Sequence, residues 1–460
     1  MKKAKSKYFN DLPRLENIID LLKPKNYDNK NIDDFKESII YFIDDFLENN
    51  IRIYESYKFL EEINDSIYNI VLNTYGHDII DLLPDTLEDI IKNCIEIYFI
   101  VNNNPRSFQK TLLLKKPNKK HIKSVFKKVK SKEQPEQRTT EWYNFRWNLL
   151  TASSIWKTLD SQANINNFIY DKCKPINTKK YGTVNIDSPF HHGHKYEPLS
   201  TFMYEWMYNT KIGEFGCIKH DTYDFLGASP DGINIKENNT RYGRLLEIKN
   251  PVSDRKLNGV PKKEYWIQMQ IQMEVWDLDE CDFLETRFKE YDSQEAFEKD
   301  GCFNKTQLGN LKGAFVQFYH NNEPYYEYPP FNCTKKEFEE WLEKIMENTE
   351  MTWIKNIYWY LDKYSCSLVL RNRKWFKEVA PVFCNIWETI KKERVSGYDH
   401  RKPKKRINKN TTIVNKVNDS DNKDTTDTNE NIKKTSDVNS KNNKNTKKET
   451  NIIKIDTSQL

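Results

Sequence analysis

The sequence predicts a mixed α/β domain over residues 138 to about 349, flanked by helical segments and followed by a polar tail. Three observations predict it. Leu245-Leu246-Glu247-Ile248-Lys249 is short, apolar and closed by the turn signal Asn250-Pro251, which suits a buried strand. Apolar residues also recur at helical spacing. Trp266, Met269 and Met273 share one face, and Thr334 with Glu337 caps a run bearing Phe338, Trp341, Leu342 and Ile345. After about residue 400 aromatics nearly vanish. Residues 400–460 are Lys-, Asn-, Thr-, Asp- and Ser-rich and are expected to be disordered, because they cannot bury enough apolar surface.

The 460 residues allow two or three domains, and 13% aromatic content supports a sizeable core. The net charge of +5 names no partner by itself. Eight cysteines stand singly with no Cys-x-x-Cys, so neither a zinc ribbon nor a thioredoxin-type dithiol is supported. Met1 to Arg14 lacks the apolar segment of a signal peptide, and no apolar run approaches the ~20 residues that span a bilayer. The expectation is a soluble intracellular protein with reduced thiols.

Residues 1–104 read as a helical accessory region. Phe35, Ile39, Phe42 and Phe46 repeat at helical spacing, and Asp85 with Glu88 resembles a capping box ahead of Ile91, Ile95 and Phe99. Residues 105–137 read as a basic linker, with Lys115, Lys116, Lys119, Lys120, Lys123, Lys127, Lys128 and Lys130 and no acid from Lys110 to Lys132. A solvated linker is the first reading and a DNA-backbone contact the second. Residues 351–399 read as a Trp-rich helical extension. The cluster Arg401-Lys402-Pro403-Lys404-Lys405-Arg406 reads as solvated tail first, and as an import signal or nucleic-acid tether second.

Chemistry concentrates between residues 141 and 273. Strand alternation sets Glu247 and Lys249 on one face and Leu246 and Ile248 on the other. Buried charges are costly unless paired or bound to a metal. Glu-x-Lys alone is common, and an exposed ion pair is its plain alternative. Pro230 and Gly232 around Asp231 predict a tight turn into the strand Ile233 to Ile235, and the polar Lys236 to Tyr242 reads as a hairpin loop. That hairpin brings Asp231 near Glu247. Both carboxylates can then hold one Mg²⁺, with the backbone carbonyl of Ile248 as a third ligand. Taken singly, Asp231 reads as an Asx-turn residue.

Three further blocks surround this pair. Gln268 and Gln272 share one helix face, where an amide can hold a water or a phosphate oxygen without competing for a cation. Glu197 offers another carboxylate beside Pro198, which is tolerated in the first turn of a helix. Arg146 offers a bidentate phosphate fork, and Ser153 or Ser154 can cap a helix whose amides bind phosphate. A surface Arg and a plain cap are the alternatives.

The five blocks in this order resemble the YqaJ-like viral recombinase family, which includes phage lambda exonuclease, within the PD-(D/E)xK nuclease superfamily. The carrying residues are Trp142 to Arg146 with Thr151-Ala152-Ser153, Gly193 with Tyr196-Glu197, Ser229-Pro230-Asp231-Gly232, Leu246 to Lys249, and Tyr265 with Gln268 and Gln270. The resemblance covers roughly 138–290 and fades towards 350. It implies a restriction-endonuclease-like core with a central mixed sheet flanked by helices. It makes Asp231 and Glu247 the metal ligands, Lys249 the catalytic lysine, Gln268 the active-site Gln, Glu197 an additional carboxylate, and Arg146 and Ser153 the holders of a 5′ phosphate. The implied activity is Mg²⁺-dependent digestion of double-stranded DNA ends, 5′ to 3′, in viral-type recombination, repair or replication. Mn²⁺ is a substitute metal and a single-strand annealing protein a partner. The alternatives are a structure-specific endonuclease or resolvase on the same fold, and a DNA-binding scaffold with little catalysis.

Overall fold

The computed structural model describes residues 29–403, apart from 78–79, 81–82, 84, 103–105, 109–115, 138, 177–187, 321–322 and 348–349. The expectation of disorder for the tail beyond 403 lies outside the described residues.

The apolar stripe Phe35, Ile39, Ile43 and Leu47 buries one face of α1 (Asn29–Asn49), with Phe42 and Phe46 on its flank. A 3₁₀ turn (Ile51–Glu55) leads to α2 (Phe59–Tyr75) and α3 (Leu87–Asn102). Helix α3 starts one residue later than the Asp85–Glu88 reading, because the Asp89 amide donates to Thr86 Oγ1 at 3.3 Å. These helices share one apolar cluster with Ile267, Ile271 and Phe283. Buried Glu55 fastens the join: Lys263 Nζ lies 3.1 Å from its carboxylate, and Trp375 Nε1 donates to it at 3.2 Å.

The expected basic linker contains a packed helix, α4 (Lys119–Val129), capped by Asn118. Ile122, Val125 and Val129 are buried along one side, so lysine density concealed a helical apolar stripe. Ile122 lies against Gly243, whose φ is +80° and where a Cβ would stand 2.6 Å from it.

Next come α5 (Thr140–Trp147), β1 (Leu150–Thr151), α6 (Ala152–Ile155), α7 (Gln162–Cys173) and α8 (Pro189–Tyr208). Ser188 caps α8 and Pro189 opens it, so Pro198 sits mid-helix rather than in a first turn. Strands β2 (Ile212–Gly213), β3 (Ile218–Lys219), β4 (Leu226–Ala228), β5 (Gly232–Asn234) and β6 (Leu245–Lys249) follow. Helix α9 (Lys263–Trp276) connects β6 to β7 (Glu280–Glu290), which runs parallel to it. The chain continues with α10 (Gln294–Lys299), β8 (Lys312–His320), β9 (Glu323–Glu327) and α11 (Lys335–Met346). The Thr334–Glu337 capping box on α11 is present as expected.

Residues 351–399 depart from the helical expectation. Thr352–Leu370 is a nineteen-residue strand, β10, and only then does α12 (Arg373–Ser396) begin. Ile357, Trp359 and Leu361 alternate into the core, and β10 pairs antiparallel with both β7 and β8. A seven-stranded mixed sheet results, ordered β2-β5-β6-β7-β10-β8-β9, beside a small sheet β1-β4-β3. Helix α9 packs on one face of β6 through Leu245, and α8 packs on the other through Leu246 and Ile248. This is the expected central mixed sheet flanked by helices.

Candidate active site

Asp231 is placed by hairpin register. Strands β5 and β6 pair antiparallel with Gly232 opposite Leu246 and Ile233 opposite Leu245. Asp231, one residue before β5, therefore lies against the end of β6. Its amide donates to the Leu246 carbonyl at 3.1 Å, and the Ile248 amide donates to Asp231 Oδ2 at 2.6 Å. A strand residue turns its N–H and C=O to the same edge, so the Ile248 carbonyl also faces the Asp231 side.

Glu247 is fully buried. One carboxylate oxygen takes the Lys249 ammonium, and the other accepts from Gln272 Nε2 at 2.7 Å. Gln272 Nε2 also reaches the Ser229 carbonyl at 3.2 Å, tying the turn before Asp231 to helix α9. Lys249 Nζ stands 5.1 Å from the centre of the Tyr265 ring. Burial pushes the Asp231 carboxyl well above the usual carboxylate range, and the Glu247 and Glu197 charges push it further, outweighing Lys249 and the Ile248 amide. Burial works to lower the Lys249 pKa, but Glu247 and Asp231 prevail and raise it. Glu197 is exposed on the middle of α8, near enough for its charge to bear on Asp231.

The set is rich in hard oxygen donors. Among the described residues no three His, Cys, Asp or Glu side chains are grouped to hold a metal ion. Mg²⁺ does not require three, since it commonly takes one or two carboxylates and keeps several waters. Asp231, Glu247 and the Ile248 carbonyl fit that demand. Gln272 Oε1 is buried beside them with no hydrogen-bond partner, which suits an acceptor for a coordinated water.

The second group lies on α5 and α6. Arg146 Nη2 donates to Ser153 Oγ at 3.5 Å, and its guanidinium stands 4.5 Å from the centre of the Trp142 ring. Lys172 Nζ donates to the carbonyls of Arg146 at 2.8 Å and Leu149 at 2.6 Å, closing the C-terminal end of α5. Burial lowers the Lys172 pKa to about 7, with Arg146 and Arg394 adding to the effect. Strands β1 and β4 are parallel, so Ser153 after β1 and Asp231 after β4 emerge at the same end of that pair.

Residues 141–279 match the family model of the YqaJ-like viral recombinase domain. That segment of the chain is similar to a YqaJ-like viral recombinase domain. Over 303 residues it is 32% identical to an uncharacterized protein of Acanthamoeba polyphaga mimivirus, covering 57% of this chain and 54% of that protein. The chain thus spans about half the length of that curated relative. Among solved structures it is similar to an alkaline exonuclease from Laribacter hongkongensis, at 19% identity and a TM-score of 0.33, covering 56% of this chain and 94% of the other. The complex of that enzyme with dAMP gives 20% identity and a TM-score of 0.32 at the same coverage.

Within residues 141–279 the structure gathers Asp231, Glu247, Lys249 and the Ile248 backbone, with Glu197 nearby. It pairs Arg146 with Ser153. The hydrogen bond to the Glu247 carboxylate comes from Gln272, one turn after Gln268 on the same helix. Gln268 and Gln272 share a face at spacing four, so sequence alone leaves open which turn meets β6. Ser153 and Ser154 lie inside the four-residue α6 rather than at its cap, which is Thr151, whose hydroxyl meets Ser154 Oγ at 3.1 Å and caps no backbone amide. The sequence places the serines beside the helix start, and backbone pairing of Leu150 and Thr151 with β4 decides where the strand yields to helix.

Proposed function

We propose that this chain is a metal-dependent DNA exonuclease that digests double-stranded ends 5′ to 3′ in viral-type recombination, repair or replication. The observation that carries the reading is the buried constellation: the carboxylates of Asp231 and Glu247 at the hairpin end, with the Lys249 ammonium and the Gln272 amide on Glu247. Asp231, Glu247 and the Ile248 carbonyl would hold Mg²⁺, with Mn²⁺ as a substitute and Glu197 as a further carboxylate. When bound, such an ion supplies Lewis-acid polarisation of a phosphate oxygen and a lowered pKa for coordinated water.

The chain's own residues do the rest. Lys249 keeps a positive charge beside the carboxylates, where it faces the charge of an attacked phosphate. Gln272 fixes the orientation of Glu247, and its Oε1 would accept from a water bound with the ion. Arg146 presents a fork to a terminal 5′ phosphate, backed by the Ser153 hydroxyl. That group favours substrates with ends. A single-strand annealing protein would be the partner of the resulting 3′ strand. Among the described residues no helix is long and apolar enough to cross a membrane.

The test is digestion by the full chain with Mg²⁺ of three duplexes: linear with 5′-phosphate, linear with 5′-hydroxyl, and covalently closed circular. The expected result is fastest loss of the phosphorylated linear duplex and survival of the circle. Cleavage of the circle at the same rate would point instead to an endonuclease on this fold.

A further inference from the structure

We infer that the outward face of α4 is a docking surface for the phosphate backbone of DNA, an inference that rests on the nuclease reading above. The helix is held to the domain by its apolar side. Ile122, Val125 and Val129 are buried, and the Phe126 and Phe215 rings stack with centroids 5.7 Å apart. Just beyond the helix, Gln134 donates to the Val129 carbonyl at 2.9 Å and accepts from the Gly216 amide at 3.0 Å. The opposite side is therefore presented on a fixed support.

That side is uniform. At about 100° per residue, positions 119, 120, 123, 127 and 130 fall within one arc of about 100°. From Lys119 to the C-cap Lys130, every residue in the arc is lysine, and all five are exposed. Lys123 is 2.8 Å from Glu237, and the flanking Lys128 and Lys132 pair with Asp221. Lys119, Lys120, Lys127 and Lys130 have no acidic partner among the described residues.

This pattern works against the helix in isolation. Lysines three and four apart repel one another, and Lys119 and Lys120 stand at the positive end of the helix dipole. An anion laid along the face removes both penalties. From 119 to 130 the stripe is about 17 Å long, a length of duplex axis that carries about five phosphates per strand. A membrane-surface helix would spend its apolar side on lipid, but here that side is spent on the core.

The surface is separate from the cleavage end. Helix α4 packs against Gly243 in the β5–β6 hairpin, and His121 Nε2 stands 2.8 Å from the Asp277 carbonyl at the end of α9. About 13 Å of strand separates that end of the hairpin from Asp231. DNA on α4 would be held beyond the point of cleavage.

The test uses the full chain with Lys119, Lys120, Lys127 and Lys130 changed together to Gln, beside a version with all four changed to Arg. Binding of a duplex several helical turns long is titrated in EDTA against salt. Digestion of a duplex too short to reach α4 is followed in Mg²⁺. The Gln variant is expected to lose up to about 3.6 from the slope of log K against log salt, about 0.9 for each phosphate contact removed. Its turnover of the short duplex stays at the wild-type rate, and the Arg variant keeps the wild-type slope. An unchanged slope in a Gln variant with wild-type circular dichroism overturns the inference while wild-type digestion leaves the nuclease reading standing. Failure of the wild type itself to bind or digest DNA overturns both. Lysine-dependent binding of phosphatidylserine vesicles with an unchanged DNA slope also overturns the inference.

Discussion

Gln272→Leu, compared with Gln268→Leu, separates two glutamines that the sequence does not distinguish. In the structure Gln272 Nε2 donates to the buried Glu247 carboxylate at 2.7 Å and to the Ser229 carbonyl at 3.2 Å. Its Oε1 is buried without a partner. A hydrogen bond to a charged group contributes about 1.5–3 kcal/mol, and the longer neutral bond about 1 kcal/mol. Removing the unpartnered Oε1 returns about 1 kcal/mol, because its desolvation is no longer incurred. Leucine keeps the apolar bulk of the helix face. The net expectation is a loss of about 2 kcal/mol for Gln272→Leu, and a change within about 0.5 kcal/mol for half-buried Gln268→Leu. Urea unfolding in EDTA near neutral pH measures both. In Mg²⁺, Gln272→Leu should also lose turnover, since Glu247 is no longer held in one orientation. Equal stability of Gln272→Leu and wild type, or a larger loss for Gln268→Leu, would refute the placement of Gln272 on Glu247.

Three other outcomes follow from the same geometry. The Asp231 pKa is raised in the fold, so metal-free protein retains a proton that the unfolded chain releases, and stability falls as pH rises from the ordinary carboxylate range through the folded value. Each pKa unit is worth about 1.4 kcal/mol; Asp231→Asn should therefore stabilise the protein in EDTA near neutral pH and lose the stabilisation by Mg²⁺, and a lower melting temperature of this variant in EDTA would contradict that. The Lys172 pKa of about 7 lies below the unfolded value, so this group adds stability as pH rises from about 7 towards the unfolded lysine range. The stability difference between wild type and Lys172→Met should move in favour of wild type across that window, as read by denaturation at a series of pH values. Gly243→Ala places a Cβ 2.6 Å from Ile122 at a φ of +80°, and should cost more than about 1 kcal/mol by thermal or urea unfolding, loosening α4.

The central pattern was legible because it depends on alternation alone. Glu247 and Lys249 face one way and Leu246 and Ile248 the other, as period two requires, and the hairpin turn at Asp231 follows from Pro230 and Gly232. Other features required knowledge of what packs where. Helix α4 hid inside a lysine run, although Ile122, Val125 and Val129 already mark its buried stripe. Strand β10 was misread because its aromatic density suits a buried helix as well as a strand. The alternation of Ile357, Trp359 and Leu361 was the signal that distinguishes them. Gln272 could not be separated from Gln268, because both satisfy the helical face and only the crossing of α9 over β6 selects between them. Arg146 and Ser153 meet in the structure, a contact that sequence alone does not give, because β1 lies between α5 and α6 and delivers the serine inside α6 rather than at its cap.

The central claim is that the Asp231–Glu247–Lys249 constellation cleaves DNA with the help of a bound divalent cation. The most direct measurement is release of nucleotides from a 5′-phosphorylated linear duplex by wild type and by Lys249→Ala, each with Mg²⁺ and with EDTA. The account predicts release only by wild type with Mg²⁺, with Lys249→Ala folded but inactive. Equal release by the two proteins, or release that persists in EDTA, would contradict it.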